Sequence, residues 1–257
     1  MSTTTDQLWL PGHRCAALIA PAIDRVFRAA MSAGTDAGAE LRQRYGGPAA
    51  IGFLVDLRTR LAAPGGTVDA AGFAAVTRYQ EPASCQRMLD KQVAYGMVVR
   101  HPDGALRATE RGGAFLTELY ALHAAVTATI WGGEPAARLA RLVDLTGRLL
   151  AEARADGQQQ PSPSAFGALA PPYEPEGTPA GVLLLNRLEV LRHHRADAHA
   201  AAWAAAGHTA RSIVGLPPGP QRLAIEQETD RRAAGPYQAL DPDQRVTLLA
   251  DLAALPG

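Results

Sequence analysis

The stretch PASCQRMLDKQVAYGMVVRHPDGALRATERGG, residues 82–113, decides how the chain is read. Proline suits the first position of a helix and glycine the position just past its end. Pro82 therefore starts a helix carrying Met88, Leu89, Val93 and Tyr95, and Gly96 stops it. Met97-Val98-Val99-Arg100 and Ala105-Leu106-Arg107-Ala108-Thr109 then form two short extended arms about a tight turn at His101-Pro102-Asp103-Gly104. Arg111-Gly112-Gly113 leads into another helix. Upstream, Asp69 can cap a short helix with Phe73 and Val76. Before that, Gly46-Gly47-Pro48 opens a helix through Ile51, Leu54, Val55, Leu57 and Leu61, which stops at Pro64-Gly65-Gly66. Helix, short helix, helix, two-stranded hairpin, helix is the order a winged helix-turn-helix needs. Its second turn helix presents a polar face to a groove while the hairpin touches the nucleic-acid backbone. Residues 48–118 supply that order.

In detail, Ala94-Tyr95-Gly96-Met97-Val98-Val99-Arg100, then Asp103 to Thr109 and Gly112, resembles the recognition-helix end and wing of the multiple-antibiotic-resistance regulator family. The resemblance implies a ligand-responsive homodimer whose DNA module is set between helices from both termini. Carried over by position, it implies DNA contacts from Ser84, Gln86, Arg87 and Lys91 on the recognition helix and from Arg100 and Arg107 on the wing. Hydroxyl, amide and basic groups suit phosphates and base edges. Charge works against this use of the fold. Residues 66–112 hold Arg78, Arg87, Lys91, Arg100, Arg107 and Arg111 against Asp69, Glu81, Asp90, Asp103 and Glu110, a net of +1, and phosphate neutralisation drives most affinity for DNA.

Working outward, 257 residues with 47% hydrophobic content supply ample core material, and an Ala- and Leu-rich composition with 5% aromatics predicts a mostly α protein. The expected architecture is the winged module with its small β-hairpin, embedded in an all-α bundle. Residues 1–47 hold N-terminal helices, including one over 8–33 with a possible kink at Pro21 and a Gly-rich break at Ser32–Gly38. Residues 119–157 belong to connecting or dimerisation helices. Residues 158–179, with three consecutive glutamines and several prolines, read as a linker and the best domain boundary. Residues 180–257 form a C-terminal helical region, whose last helix is capped by Asp241 with Pro242 at its first position.

The formal net charge is zero, so no global field draws the chain to nucleic acid or anionic lipid. Lys91 is the only lysine, a bias toward arginine that suggests a GC-rich genome. Cys15 and Cys85 lie far apart in apolar helical patterns and read as buried thiols. Neither a signal peptide nor a membrane-length apolar run is visible, which places the expected compartment in the cytoplasm without membrane partners.

The other conspicuous segment is Leu191-Arg192-His193-His194-Arg195-Ala196-Asp197-Ala198-His199, within a helix apolar nearly all round and so expected to be buried. Helical spacing puts His193 and Asp197 on one face and Arg195 and His199 nearly opposite. One reading has Asp197 orient or charge His193 for acid/base or ligand-binding work. A second adds His13, His123 or His208 to make a metal site. A third treats the two i to i+4 pairs as packing devices. Without an H-E-x-x-H or cysteine pattern no metal is expected, and no phosphate-loop or nucleophile-elbow motif points to a cofactor or a covalent mechanism. His193, His194, Arg195, Asp197 and His199 remain the candidate pocket. His194 to His199 with the Ala-rich sequence to Gly207 is also similar to an H-R-x-D-x-H segment in a family of uncharacterised actinobacterial helix-turn-helix proteins. The run Ile225 to Asp230 and Ala233 to Tyr237 resembles that family's tail. Trp9, Trp131 and Trp203 read as core aromatics.

The leading expectation is a homodimeric DNA-binding regulator that answers to a small molecule. The alternative is a helical enzyme or small-molecule-binding protein of specialised metabolism, working around the histidine-rich helix and keeping the winged module as scaffold or dimerisation element.

Overall fold

The computed structural model describes residues 10–157 and 163–256, and among these the chain is mostly helical with one two-stranded antiparallel sheet. Trp9 and residues 158–162 of the expected linker lie outside the described residues. The first half runs α1 (Gly12–Ala37), α2 (Ala39–Arg44), α3 (Pro48–Asp56), α4 (Arg58–Leu61), α5 (Ala70–Val76), α6 (Pro82–Ala94), β1 (Val98–Arg100) and β2 (Leu106–Ala108). The second runs α7 (Glu110–Trp131), α8 (Ala136–Gly157), α9 (Ala165–Leu169), α10 (Ala180–Ala205), α11 (Ala210–Val214), α12 (Pro220–Arg232), a 3-10 turn (Gly235–Ala239) and α13 (Pro242–Ala254).

Local chemistry explains many of these boundaries. Asp69 caps α5 by accepting from the Gly72 amide, and Glu81 caps α6 by accepting from the Ala83 and Ser84 amides, with Pro82 at the first position. Asp241 and Gln244 form a reciprocal capping box at α13. The hairpin pairs Val98 with Ala108 and Arg100 with Leu106, and Gly104 takes φ +83° in its turn, a conformation glycine adopts without steric cost. A third extended residue, Val68, bridges to Leu106. The hairpin is clamped to α7 at Gly112, where an added Cβ would stand 2.1 Å from the Met97 carbonyl oxygen.

One hydrophobic core runs through both halves. α1 contributes Cys15, Ile19, Ile23, Val26, Phe27 and Ala30, spaced at three and four along one face. Burying such an aliphatic side chain stabilises by about 1.5–3 kcal/mol. α10 lies at the centre, packed against α1, α7, α8, α9 and α12, and Val182, Leu184, Leu185, Leu188, Val190 and Leu191 are buried on several of its sides. This is the environment expected of a helix without a polar face. Cys15 and Cys85 are free and buried. No helix among the described residues is long and apolar enough to cross a membrane.

Two segments differ from the sequence reading. The expected break at Ser32–Gly38 is helical through Ala37. A glycine inside a helix costs roughly 1 kcal/mol, and here the buried face of α1 against α7, where a Cβ on Gly34 would sit 3.6 Å from the His123 ring, outweighs it. The expected linker carries α9 between residues 163 and 179, with Ala165, Phe166 and Leu169 buried, and Tyr173 donates its amide to the Thr59 carbonyl. Composition marked the segment as loop-like because it has little charge and many prolines, yet its few apolar residues are anchored in the common core.

Candidate functional site

The histidine-rich part of α10 faces four neighbours: α1, α12 with the 3-10 turn, α9, and the turn between α5 and α6. Each neighbour takes a different set of its polar groups.

Asp197 is a junction. Its carboxylate accepts from Ser164 Oγ at 2.7 Å and from the backbone amides of Ala165 at 3.0 Å and Phe166 at 2.8 Å, which holds the N-terminus of α9. It also pairs with the Arg78 guanidinium from the α5–α6 turn. Arg78 is held from behind by the Ala75 carbonyl. The expectation that Asp197 orients His193 is thus corrected: the aspartate's partners come from α9 and the α5–α6 turn, and His193 receives only its long-range field. Burial, and Arg192 beside it, push the His193 pKa down to about 4, so the ring is neutral near pH 7.

Arg195 and His199 likewise pair outside their own helix. Arg195 binds Asp230 at 2.7 Å and lies 3.7 Å from Glu226, both on α12. Tyr79, also from the α5–α6 turn, meets His199 Nδ1 through its hydroxyl at 2.9 Å. Trp203 Nε1 donates to that hydroxyl at 3.3 Å. Because indole N–H only donates, the Tyr79 proton is free for His199 Nδ1. The neutral imidazole then carries its hydrogen on Nε2, which is buried without a hydrogen-bond partner among the described residues, 3.8 Å from Glu226 Oε1. Burial keeps His199 below its ordinary pKa, with Glu226 opposing.

Between α1, α10, α12 and the 3-10 turn lies a cavity of about 390 Å³, lined by Ala16, Ala20, Ile23 and Leu191 on the apolar side and by His194, Arg195, His199, Glu226 and Tyr237 among the polar groups. Tyr79 closes one edge. His194, edge-on to Phe166 with ring centroids 5.4 Å apart, also lines two further cavities toward α9. Of the five expected pocket residues the structure brings His194, Arg195 and His199 to the cavity between α1, α10 and α12. Asp197 lines the neighbouring one by Ser164 and Arg78, and His193 lines neither. The two tail segments, Ile225 to Asp230 and Ala233 to Tyr237, form the wall opposite His194 to His199. Sequence reasoning missed Arg78 and Tyr79, about 120 positions from their partners and without any local signal.

The possible third metal ligands are dispersed. His13 is exposed, His123 is buried against Gly34, and His208 bonds Ser212 at 3.2 Å. Among the described residues no three His, Cys, Asp or Glu side chains converge as a metal site.

The six expected nucleic-acid contacts, Ser84, Gln86, Arg87, Lys91, Arg100 and Arg107, are all exposed. α6 packs inward on α3 and β1 through Cys85, Leu89 and Gln92, leaving its outer face in solvent. Part of that face is internally engaged: Arg87 donates to Ser84 at 2.6 Å and Gln86 to Asp90 at 2.6 Å. Lys91, Arg100 and Arg107 make no salt bridge among the described residues. Comparison with protein-family models, characterised proteins and solved structures gives no match.

Proposed function

We propose that this chain is a ligand-responsive DNA-binding regulator, in which residues 48–118 act as a winged helix-turn-helix and the α10 cavity receives the effector. One observation carries the reading: the α5–α6 turn is attached to the cavity helix through Arg78–Asp197 and Tyr79–His199. In the proposed module that turn sets the attitude of α6, the recognition helix. A molecule that shifts His199 therefore acts on the helix that reads DNA with no intervening element. The exposed outer face of α6 supports the same use, as do the charges of Lys91, Arg100 and Arg107, which no salt bridge among the described residues neutralises. Exposed apolar side chains at Leu18, Val214, Leu223 and Val246 offer surface for the homodimer that belongs to this reading.

The test is fluorescence anisotropy of the full chain with duplex DNA from upstream of its own coding sequence, over a range of salt. Binding at low salt is expected. Lys91→Ala with Arg107→Ala should weaken it and reduce the slope of log K against log salt by about two, one for each phosphate no longer neutralised. No binding at low salt, or an unchanged slope, would overturn the reading and favour a binding protein or enzyme that uses the cavity alone.

A further inference from the structure

The cavity between α1, α10, α12 and the 3-10 turn holds several formal charges, and all but Glu226 are in bonded pairs. Arg192 donates twice to Asp24, at 2.9 and 2.6 Å, and stacks over the Phe27 ring at 4.4 Å. Arg195 is bound to Asp230, with Glu226 close by. An entering anion would have to break one of these pairs and face the Glu226 carboxylate, and an entering cation would meet Arg192 and Arg195 and have to compete with Arg195 for Glu226, a loss that its own attraction would have to exceed.

Apart from the Glu226 carboxylate, the polar groups with spare hydrogen-bonding capacity are neutral. His199 Nε2 is buried without a partner among the described residues. Tyr237 is buried, lines the cavity, and its hydroxyl makes no hydrogen bond among the described residues. His194 lines the cavity edge-on to Phe166, and its ring makes no hydrogen bond among the described residues. The remaining wall is largely aliphatic. The volume, about 390 Å³, lies in the range of small-molecule sites, which combine an apolar lining with a few placed polar groups.

We infer that the cavity takes an uncharged, largely apolar molecule bearing a phenol, ketone or alcohol oxygen, which accepts from His199 Nε2–H and shares a hydrogen bond with the Tyr237 hydroxyl. Acceptance at Nε2 tightens the chain that runs through Nδ1 to Tyr79 and Trp203, so occupancy is reported at the α5–α6 turn. The inference rests on reading the cavity as an effector site, and its test involves no DNA. Failure to bind DNA would leave it standing, and its failure would leave DNA binding standing.

The experiment is a ligand-observed NMR titration of the full chain with four bicyclic probes of one shape: 2-naphthol, naphthalene, 2-naphthoate and 2-naphthylmethylammonium. 2-Naphthol should bind most tightly, with naphthalene weaker by about tenfold or more for the two missing hydrogen bonds and both ions weaker still. Tyr237→Phe keeps the ring, and His199→Gln keeps a side-chain amide donor. Tyr237→Phe should erase about half of the advantage of naphthol over naphthalene on a logarithmic scale, while His199→Phe should abolish most of it and His199→Gln should restore part. Equal or tighter binding of either ion, no preference for naphthol, or variants of unchanged melting temperature that bind all four probes like the parent would overturn the inference.

Discussion

Arg58 is fully buried, and its guanidinium meets one carboxylate, Glu189 Oε1, at 2.8 Å. Its Nη1 also reaches the Val55 carbonyl, while Nε, Nη2 and the second Glu189 oxygen have no partner among the described residues. Burial pushes the Glu189 carboxyl up to about 7, with Arg58 pulling it back. Desolvating two ions costs about as much as their attraction returns, but removing one partner strands the other. Arg58→Met and Glu189→Leu should therefore each cost about 3–5 kcal/mol, while the double variant should cost far less than their sum. Urea unfolding of the four proteins measures the coupling, and additive costs would count against an ion pair acting as a unit. Neither residue stood out in the sequence, because Arg58 lies among ordinary helix residues and its partner is 131 positions away. The same separation hid the partners of Asp197. Helical spacing correctly placed His193 and Asp197 on one face, but a shared face does not decide which neighbour a carboxylate binds when backbone amides and a guanidinium are also within reach.

At the scale of the element, α9 shows what such a carboxylate does. With five residues it is far below the length at which a helix holds by itself. Its first amides are held by Asp197 and by the Ser164 cap, and its apolar side chains insert beside α10 and α5. Asp197→Ala should release α9 and the Arg78 turn together, at a cost of about 3 kcal/mol, because it leaves a largely buried guanidinium without its charge partner. Hydrogen exchange reads this directly: protection at Ala165 and Phe166 should fall more than at the α10 core amides. If exchange at α9 follows only the global loss of stability, Asp197 is no local anchor. Elements whose chemistry is local were legible from sequence, as at the Asp69 and Asp241 caps, the Pro82 start and the His101–Gly104 hairpin turn. α9 was not, because nothing within its own residues stabilises it. The Ser32–Gly38 stretch misled for the converse reason, since tertiary packing holds a helix across a locally poor sequence.

The whole molecule keeps several imidazoles neutral inside a helical bundle, and its stability should record this as a function of pH. Burial pushes His123 down to about 3 and His193 down to about 4, and holds His194 and His199 below their ordinary value as well. In the unfolded chain these rings titrate near 6.5. Their contribution is therefore fully present above that pH and is lost as acid protonates the unfolded chain in preference to the folded one. Glu189 acts in the opposite sense. Its folded pKa of about 7 lies above the ordinary 4.5, so its contribution is present below 4.5 and is lost as pH rises through 7. Between pH 6.5 and 4.5 the four histidines outnumber the carboxyls that burial raises, Glu189 and Asp56. At about 1.4 kcal/mol per unit for each group, His123 and His193 against Glu189 leave a net loss on the order of 3 kcal/mol over that window, which His194 and His199 enlarge and Asp56 reduces. Urea titrations at pH 6.5 and 4.5 should show this fall. His123→Leu, which removes a ring buried with an unpartnered Nδ1, should shrink it by about 3 kcal/mol. Glu189→Gln should steepen it by a similar amount, because the larger opposing group is gone. A profile that is flat across the window, or one that neither substitution changes, would mean that these rings are hydrated in the folded chain.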